Sequence, residues 1–448
     1  MPKKAFTLLE ILLVIASIGI LAAIVIVAIN PQRQLSQVRD AERRASVNTL
    51  HSALEQYLID EGTYPIGITM SYQDVCDTGS ASLEQGSTES NCVDLRGLVP
   101  RYIAAIPTDP RSEQHTGYRV AIHPDNQRVS VYTITGEVEP QSINRFYAQA
   151  EGGNELLYEQ DGVYYRIHSF TDVGEGTFNV IQSGDADVLV VGGGAGGASE
   201  RGGAGGAGGL VFYPGYSLVQ GDVNVFVGSG SSGVALRSQN PVNGQNSYFD
   251  AIIALGGGAP GSRDGVREGM DGGSGGGARD RSQNIESAGL GIQSSQGGVS
   301  GNPYGFGNSG GAGYDATGNS HGGGGGGAGE PGGSNTPGSN GGNSGGDGLF
   351  EVNIEGMVYQ FSDIFGLANT GEFINDQYWY AGGGAAHDQA GNPVEGGRGG
   401  GGSNTQSGNS VDALPNTGGG GGGANGDGGS GVVIIRYEIS EEEYNNSL

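Results

Sequence analysis

Cys76 and Cys92 are the only two thiols in this 448-residue chain, and they lie in a segment rich in Ser, Gly, Asp and Glu. An even pair, with no His or further Cys beside it, favours a disulfide over a metal site. Closing a loop of about 15 residues stabilises a fold by roughly 3 kcal/mol on the loop-entropy account. The six histidines, His51, His115, His123, His168, His321 and His387, are scattered without a pair at metal-ligand spacing. Asp109, Glu113 and Asp125 are the acidic groups nearest to a calcium-like cluster, and they match no defensible loop spacing. No metal and no cofactor is expected, and no constellation points to an enzyme.

Three motifs imitate chemistry. Val188 to Gly197 spells a strand followed by GxGxxG, which binds a dinucleotide only if a helix follows to meet the pyrophosphate. More glycine follows instead. Leu414-Pro415-Asn416-Thr417-Gly418 spells a sortase signal, but the chain behind it ends in an acidic, soluble stretch. Gly345-Gly346-Asp347-Gly348 is like a calcium nonapeptide, yet Asp does not recur every nine residues.

Glu10 is the remaining chemical oddity. It stands in the run Phe6–Ile29, 24 residues with no other charge, long enough to span a bilayer as a helix. An acid inside such a span needs a partner and a role. Lys3 and Lys4, the only lysines, precede the run, so the positive-inside rule leaves the N-terminus cytoplasmic and sends the rest outward. Lys3-Lys4-Ala5 before Phe6-Thr7-Leu8-Leu9-Glu10 resembles the leader and stem of the type IV pilin and pseudopilin family. That resemblance implies cleavage by a prepilin peptidase between Ala5 and Phe6, and N-methylation of Phe6. It also implies that Glu10 pairs with a Phe6 amine during assembly with other pilin subunits. The expected route is a precursor in the inner membrane, followed by an extracellular filament or the cell surface.

The elements that must carry these residues follow from periodicity. Asn30-Pro31 predicts a kink, after which Val47, Leu50, Leu54, Tyr57 and Leu58 recur at helical spacing while Arg39, Asp40, Glu42, Arg43 and Arg44 stay polar. A helix from Phe6 to Gly62 would be roughly 85 Å long. Alternation over Tyr118–Ile122 and Val129–Ile134 predicts a hairpin covering it. The expected organisation is a leader at 1–5, a membrane and filament-core helix at 6–62, a small head at 63–135 and a linker at 136–160. A glycine-rich domain at 161–438 and an acidic tail at 439–448 complete the chain.

The remainder obeys different physics. Of 92 glycines, 8 fall in residues 1–150, and residues 151–448 carry 9 Lys and Arg against 32 Asp and Glu. So acidic a surface repels phosphates, which excludes nucleic acid as a partner. Apolar or alternating runs at 163–170, 176–181, 187–191, 209–213, 223–227, 247–254, 357–361, 378–380 and 431–437 read as strands between glycine tracts. Lone tracts lose too much entropy to order. Several can order side by side as polyproline II-type helices bonded backbone to backbone.

His168-Ser169-Phe170-Thr171, Val188–Gly194, Asn246–Phe249, Tyr380–Gly384 and Gly428–Tyr437 resemble the hallmarks of a bacterial and phage glycine-rich domain family. Related tail-fibre adhesins use polyglycine sandwiches with receptor-binding loop tips. The expected fold class is thus an α+β pilin followed by an all-β and polyglycine II domain. The expected function is a minor or tip pilin-like subunit that adheres to a cell-surface glycan or protein. The competing function is a structural pilin or pseudopilin, of a filament or a type II secretion-like system, with the glycine-rich part as sheath or spacer. The loops at 263–271, 278–293 and 304–314 carry side chains able to recognise a partner, and the candidate surface-binding residues are Tyr304, Phe306, Tyr314, Arg263 and Arg267. Tyr304, Phe306 and Tyr314 are equally suited to anchoring the polyglycine core, which is the expected role of Trp379.

Overall fold

The computed structural model describes residues 31–447 except 70–72, 77–91, 110–115, 123–127, 134–141, 144–146, 161, 200–201, 236–239, 263–265, 281–284, 294–303, 315–321, 336–342, 355–356, 389–391 and 406–408. The chain divides into two compact units, residues 1–146 and 147–448.

In the first unit, α1 runs from Pro31 to Glu61. Val47, Leu50, Ala53 and Leu54 are buried, three and four residues apart as one helix face requires. They pack on a sheet of order β2-β1-β3-β4-β5, built from β1 (Gln73–Val75), β2 (Cys92–Val93), β3 (Tyr118–Ile122), β4 (Val129–Thr133) and β5 (Ser142–Ile143). The expected hairpin is the antiparallel pair β3–β4. The disulfide Cys76–Cys92 closes beside the parallel pair β1–β2. Arg43, read as part of the polar face, is instead fully buried and bonded to Asp109. Asp109 is therefore committed to an ion pair, while Glu113 and Asp125 lie outside the described residues.

Two expectations need correction. The fold class was to open with a long apolar N-terminal helix of α+β pilin type, but the described structure is predominantly β. Its one long helix is α1, where Arg33, Arg39, Asp40, Glu42, Arg43 and Arg44 interrupt any apolar run. An inner-membrane precursor was expected too, yet no helix among the described residues is long and apolar enough to cross a membrane. Lys3, Lys4, Ala5, Phe6 and Glu10, with the run they belong to, lie outside the described residues.

The second unit begins with strands where a linker was expected. Its elements are β6 (Gln149–Glu151), β7 (Asn154–Gln160), β8 (Val163–Phe170), β9 (Gly174–Gln182), β10 (Gly184–Val191), β11 (Leu210–Leu218), β12 (Gly221–Val227), β13 (Ser247–Phe249), β14 (Ile252–Ala254) and β15 (Gly305–Phe306). Then come β16 (Glu351–Ile354), β17 (Met357–Gln360), α2 (Phe361–Phe365), β18 (Glu372–Ile374), β19 (Gln377–Trp379), β20 (Val432–Ile439) and α3 (Glu441–Ser447). A six-stranded sheet, β15-β11-β10-β20-β8-β7, and a five-stranded sheet, β14-β13-β12-β9-β6, share one core. The single strand expected at 247–254 is a hairpin, because Asp250 takes the left-handed conformation at φ 51°.

Alternation on β20 decides both cores. Val433, Ile435, Tyr437 and Ile439 face the second sheet, whereas Val432 and Ile434 face a cluster with Phe361, Phe365 and Tyr380. Successive side chains of a strand point to opposite faces, so one strand serves two layers. The acidic tail is not loose: in α3, Glu443 meets Arg166 at 3.2 Å and Tyr444 packs 4.7 Å from Tyr164.

Candidate binding surface

Glycine-rich rods leave the sheets where strands end. Residues 192–199 continue from β10, and 202–209 return to β11. At about 3.1 Å per residue, eight residues of polyproline II-type helix carry the chain some 25 Å before it turns.

The backbone pairing has a period of three. Along 202–209, Gly203, Gly206 and Gly209 donate to Gly261, Gly258 and Leu255; Ala204 and Ala207 donate to Gly323 and Gly326; Gly205 and Gly208 donate to Gly421 and Gly418. The carbonyls of this rod accept from three more rods, through Ala195, Ser274 and Gly384 among others. Three residues per turn aims each successive amide 120° further round, so one rod holds six neighbours. Only glycine, with an occasional alanine, permits that spacing. A Cβ on Gly205 would lie 1.9 Å from the Ala195 carbonyl oxygen. The glycine tracts thus order as a solid of backbone hydrogen bonds, with apolar sheets at one end and turns at the other.

This lattice disposes of the imitated motifs. In GxGxxG, Gly192, Gly193, Gly194 and Gly197 donate to the carbonyls of Gly209, Gln245, Gly429 and Gly426, and Gly196 donates to Ser231 Oγ. Those amides are not available to a phosphate. In the sortase-like segment, Thr417 is buried and its hydroxyl donates to the Leu414 carbonyl. Among the described residues, no group of three or more His, Cys, Asp or Glu is placed to hold a metal.

The candidate residues separate into two places. Tyr304 and Phe306 lie at the sheet end, where Phe306 in β15 pairs with Leu210 and the Tyr304 ring sits 4.3 Å from that of Tyr213. Both are half-buried against the cores. They anchor the sheet edge and are not a free binding surface. Trp379 is buried at 6% exposure, between Phe350 and the guanidinium of Arg398 at 4.1 Å.

Arg267 and Tyr314 lie at the turn end. Arg279 N–H donates to the Arg267 carbonyl, Ala278 N–H to Gly311, and Glu286 N–H to Gly313. These bonds place four rods side by side, so that exposed Val266, Arg267 and Ile285 and half-buried Tyr314 end on one group of turns. Arg263 lies outside the described residues. Ile285, which is 62% exposed, and Val266 fall within recognition loops expected at 278–293 and 263–271, but neither residue was singled out there. A lone β-branched residue in a Ser, Asn and Gly stretch was the available signal, since no core demands it there.

The titratable cluster that the structure does assemble is internal. His168 Nδ1 is 2.7 Å from the Gly152 carbonyl and Nε2 is 2.9 Å from the Tyr437 hydroxyl. A carbonyl only accepts, so Nδ1 carries the proton and Nε2 accepts from Tyr437. The same hydroxyl receives the Ala150 N–H at 3.0 Å. Burial holds the His168 pKa below its ordinary value, opposed by the Gly152 bond and by Glu155. The arrangement ties β6, β8 and β20 together.

A β-sandwich that feeds a hydrogen-bonded lattice of glycine rods defines a polyglycine-lattice protein. The glycine-rich domain family matches residues 171–438, more than half of the chain, and the protein belongs to that family. No curated protein matches the chain significantly.

Proposed function

We propose that the chain is a display subunit, in which the glycine-rich unit presents its lattice turns to a cell-surface glycan or protein. The supporting observation is the lattice itself. It orders rods of eight residues without spending side chains on a core, so residues at the turns remain for recognition. Val266, Arg267, Ile285 and Tyr314 are the group to which the reading is assigned. The likeness of residues 1–10 to a prepilin leader and stem extends the proposal to a filament subunit, minor or at the tip, that assembles with other pilin-like chains.

Binding of the purified protein to target cells tests this reading. Alanine at Arg267, Ile285 and Tyr314 together should abolish binding while leaving the thermal transition in place. Undiminished binding by that variant would sink the assignment. The burial of Tyr304 and Phe306 favours a second reading, a rigid spacer without a receptor. Stoichiometry in sheared filaments separates the two: a tip subunit is rare there, and a spacer abundant.

A further inference from the structure

We propose that the edge of β7 accepts an extended segment of another protein by strand addition, and that this segment carries basic residues at alternate positions around an apolar one. The ends of the three main sheets are β2, β5, β15, β14, β6 and β7. Five of these are two or three residues long, and β7 is seven. Short edges are one way in which proteins avoid unwanted pairing; Lys, Pro and bulges are others. β7 lacks Lys, Pro and bulges, and its two glutamates guard it against like-charged strands only: its sequence is Asn-Glu-Leu-Leu-Tyr-Glu-Gln, and its register with β8 is unbroken from Asn154↔Ser169 to Gln160↔Val163. Along it Asn154, Glu155, Leu156 and Glu159 are exposed. An open, regular edge of this length is a template for main-chain pairing.

The side chains define the occupant. Glu155, Leu157 and Glu159 share one face of the strand, because successive residues alternate. An added strand would oppose them with basic, apolar and basic residues at positions j, j+2 and j+4. Glu155 lies 4.0 Å from Arg166 and 3.8 Å from His168 Nδ1, accepts the Gly152 N–H at 3.4 Å, and still keeps 40% of its side chain exposed. The surrounding field agrees, since residues 151–448 hold 32 acidic against 9 basic residues.

A second copy is the wrong partner. Antiparallel self-pairing centred on Leu157 would set Glu155 against Glu159 twice, and like charges directly opposite are destabilising. Nor does the chain carry the complementary pattern. Its arginines four apart are Arg39 and Arg43, in α1, and Arg263 and Arg267, of which Arg263 lies outside the described residues.

The test uses the full chain and a synthetic ten-residue peptide with the alternating core Arg-Thr-Val-Thr-Arg. Binding should protect amides within 154–160 from hydrogen exchange. Glu159→Arg, or glutamate in place of the one peptide arginine that faces Glu159, should weaken it about tenfold. Combining Glu159→Arg with the glutamate peptide should restore it, and Glu159→Gln, which keeps shape and removes charge, should fall between. The proposal is overturned by absence of binding, by protection confined to other strands, by equal binding to all variants, or by a β7-dependent dimer of the chain alone.

Discussion

Arg43 and Asp109 form a two-point ion pair with both side chains fully buried: Nε lies 2.6 Å from one carboxylate oxygen and a terminal nitrogen lies 3.1 Å from the other. The pair fastens α1 to the segment that enters β3, where Asp109 N–H also donates to the Thr116 carbonyl. Removing one member of such a pair strands a charge in the interior and costs about 3–5 kcal/mol. Arg43→Met should therefore lower the stability of the first unit by that order in denaturant unfolding. Adding Asp109→Asn should recover part of the loss, and a strictly additive double variant would show that the two residues do not act as a pair.

Gly205→Ala should be far more damaging than its one methyl suggests. The new Cβ would meet the Ala195 carbonyl oxygen at 1.9 Å, its carbon at 2.6 Å and the Gly196 carbonyl oxygen at 3.1 Å, all of them backbone. Destabilisation above about 4 kcal/mol is expected, in the range reserved for overpacking. Gly97→Ala, with no heavy atom within 4 Å, is the control and should stay within about 0.5 kcal/mol. Soluble yield and thermal midpoint report both.

Acid should weaken the second unit through His168. Its pKa is depressed in the fold by burial, so the unfolded chain binds the proton more readily. The stabilising contribution is complete above the unfolded value of about 6.5 and is lost as pH falls below it, by up to about 1.4 kcal/mol per unit until the folded value is reached. His168→Gln should lower stability at neutral pH and flatten the dependence between pH 7 and 5. A wild-type profile as flat as that of the variant would remove His168 as the cause.

Reducing Cys76–Cys92 should cost about 3 kcal/mol, the loop-closure value for a ring of this size. The loss belongs to the first unit, whose parallel pair β1–β2 the bridge adjoins. Calorimetry with and without reductant should move one transition and leave that of the lattice unit in place.

Parts of this architecture were plain in the sequence because they are local. β8 and β20 alternate or run apolar over strand length, and the polyglycine stack follows from what glycine alone can do. Other parts depend on distant partners. Arg43 reads as solvent-facing on the periodicity of α1, and only Asp109, 66 residues on, turns it inward. Tyr304 and Phe306 read as loop aromatics among glycines until β15 pairs with β11 almost a hundred residues earlier. β7 escaped notice because its two adjacent leucines break the alternation that marks a half-buried strand.

The three-residue repeat of the rods also imposes an arithmetic on how the sequence can change in length. Each residue turns the donors by 120°, so inserting one residue within 202–209 would direct every later amide at the wrong neighbour, whereas three would restore the aim. Turns carry no such phase. Natural length variation in this lattice should therefore gather at the turns, and inside the rods it should come in threes.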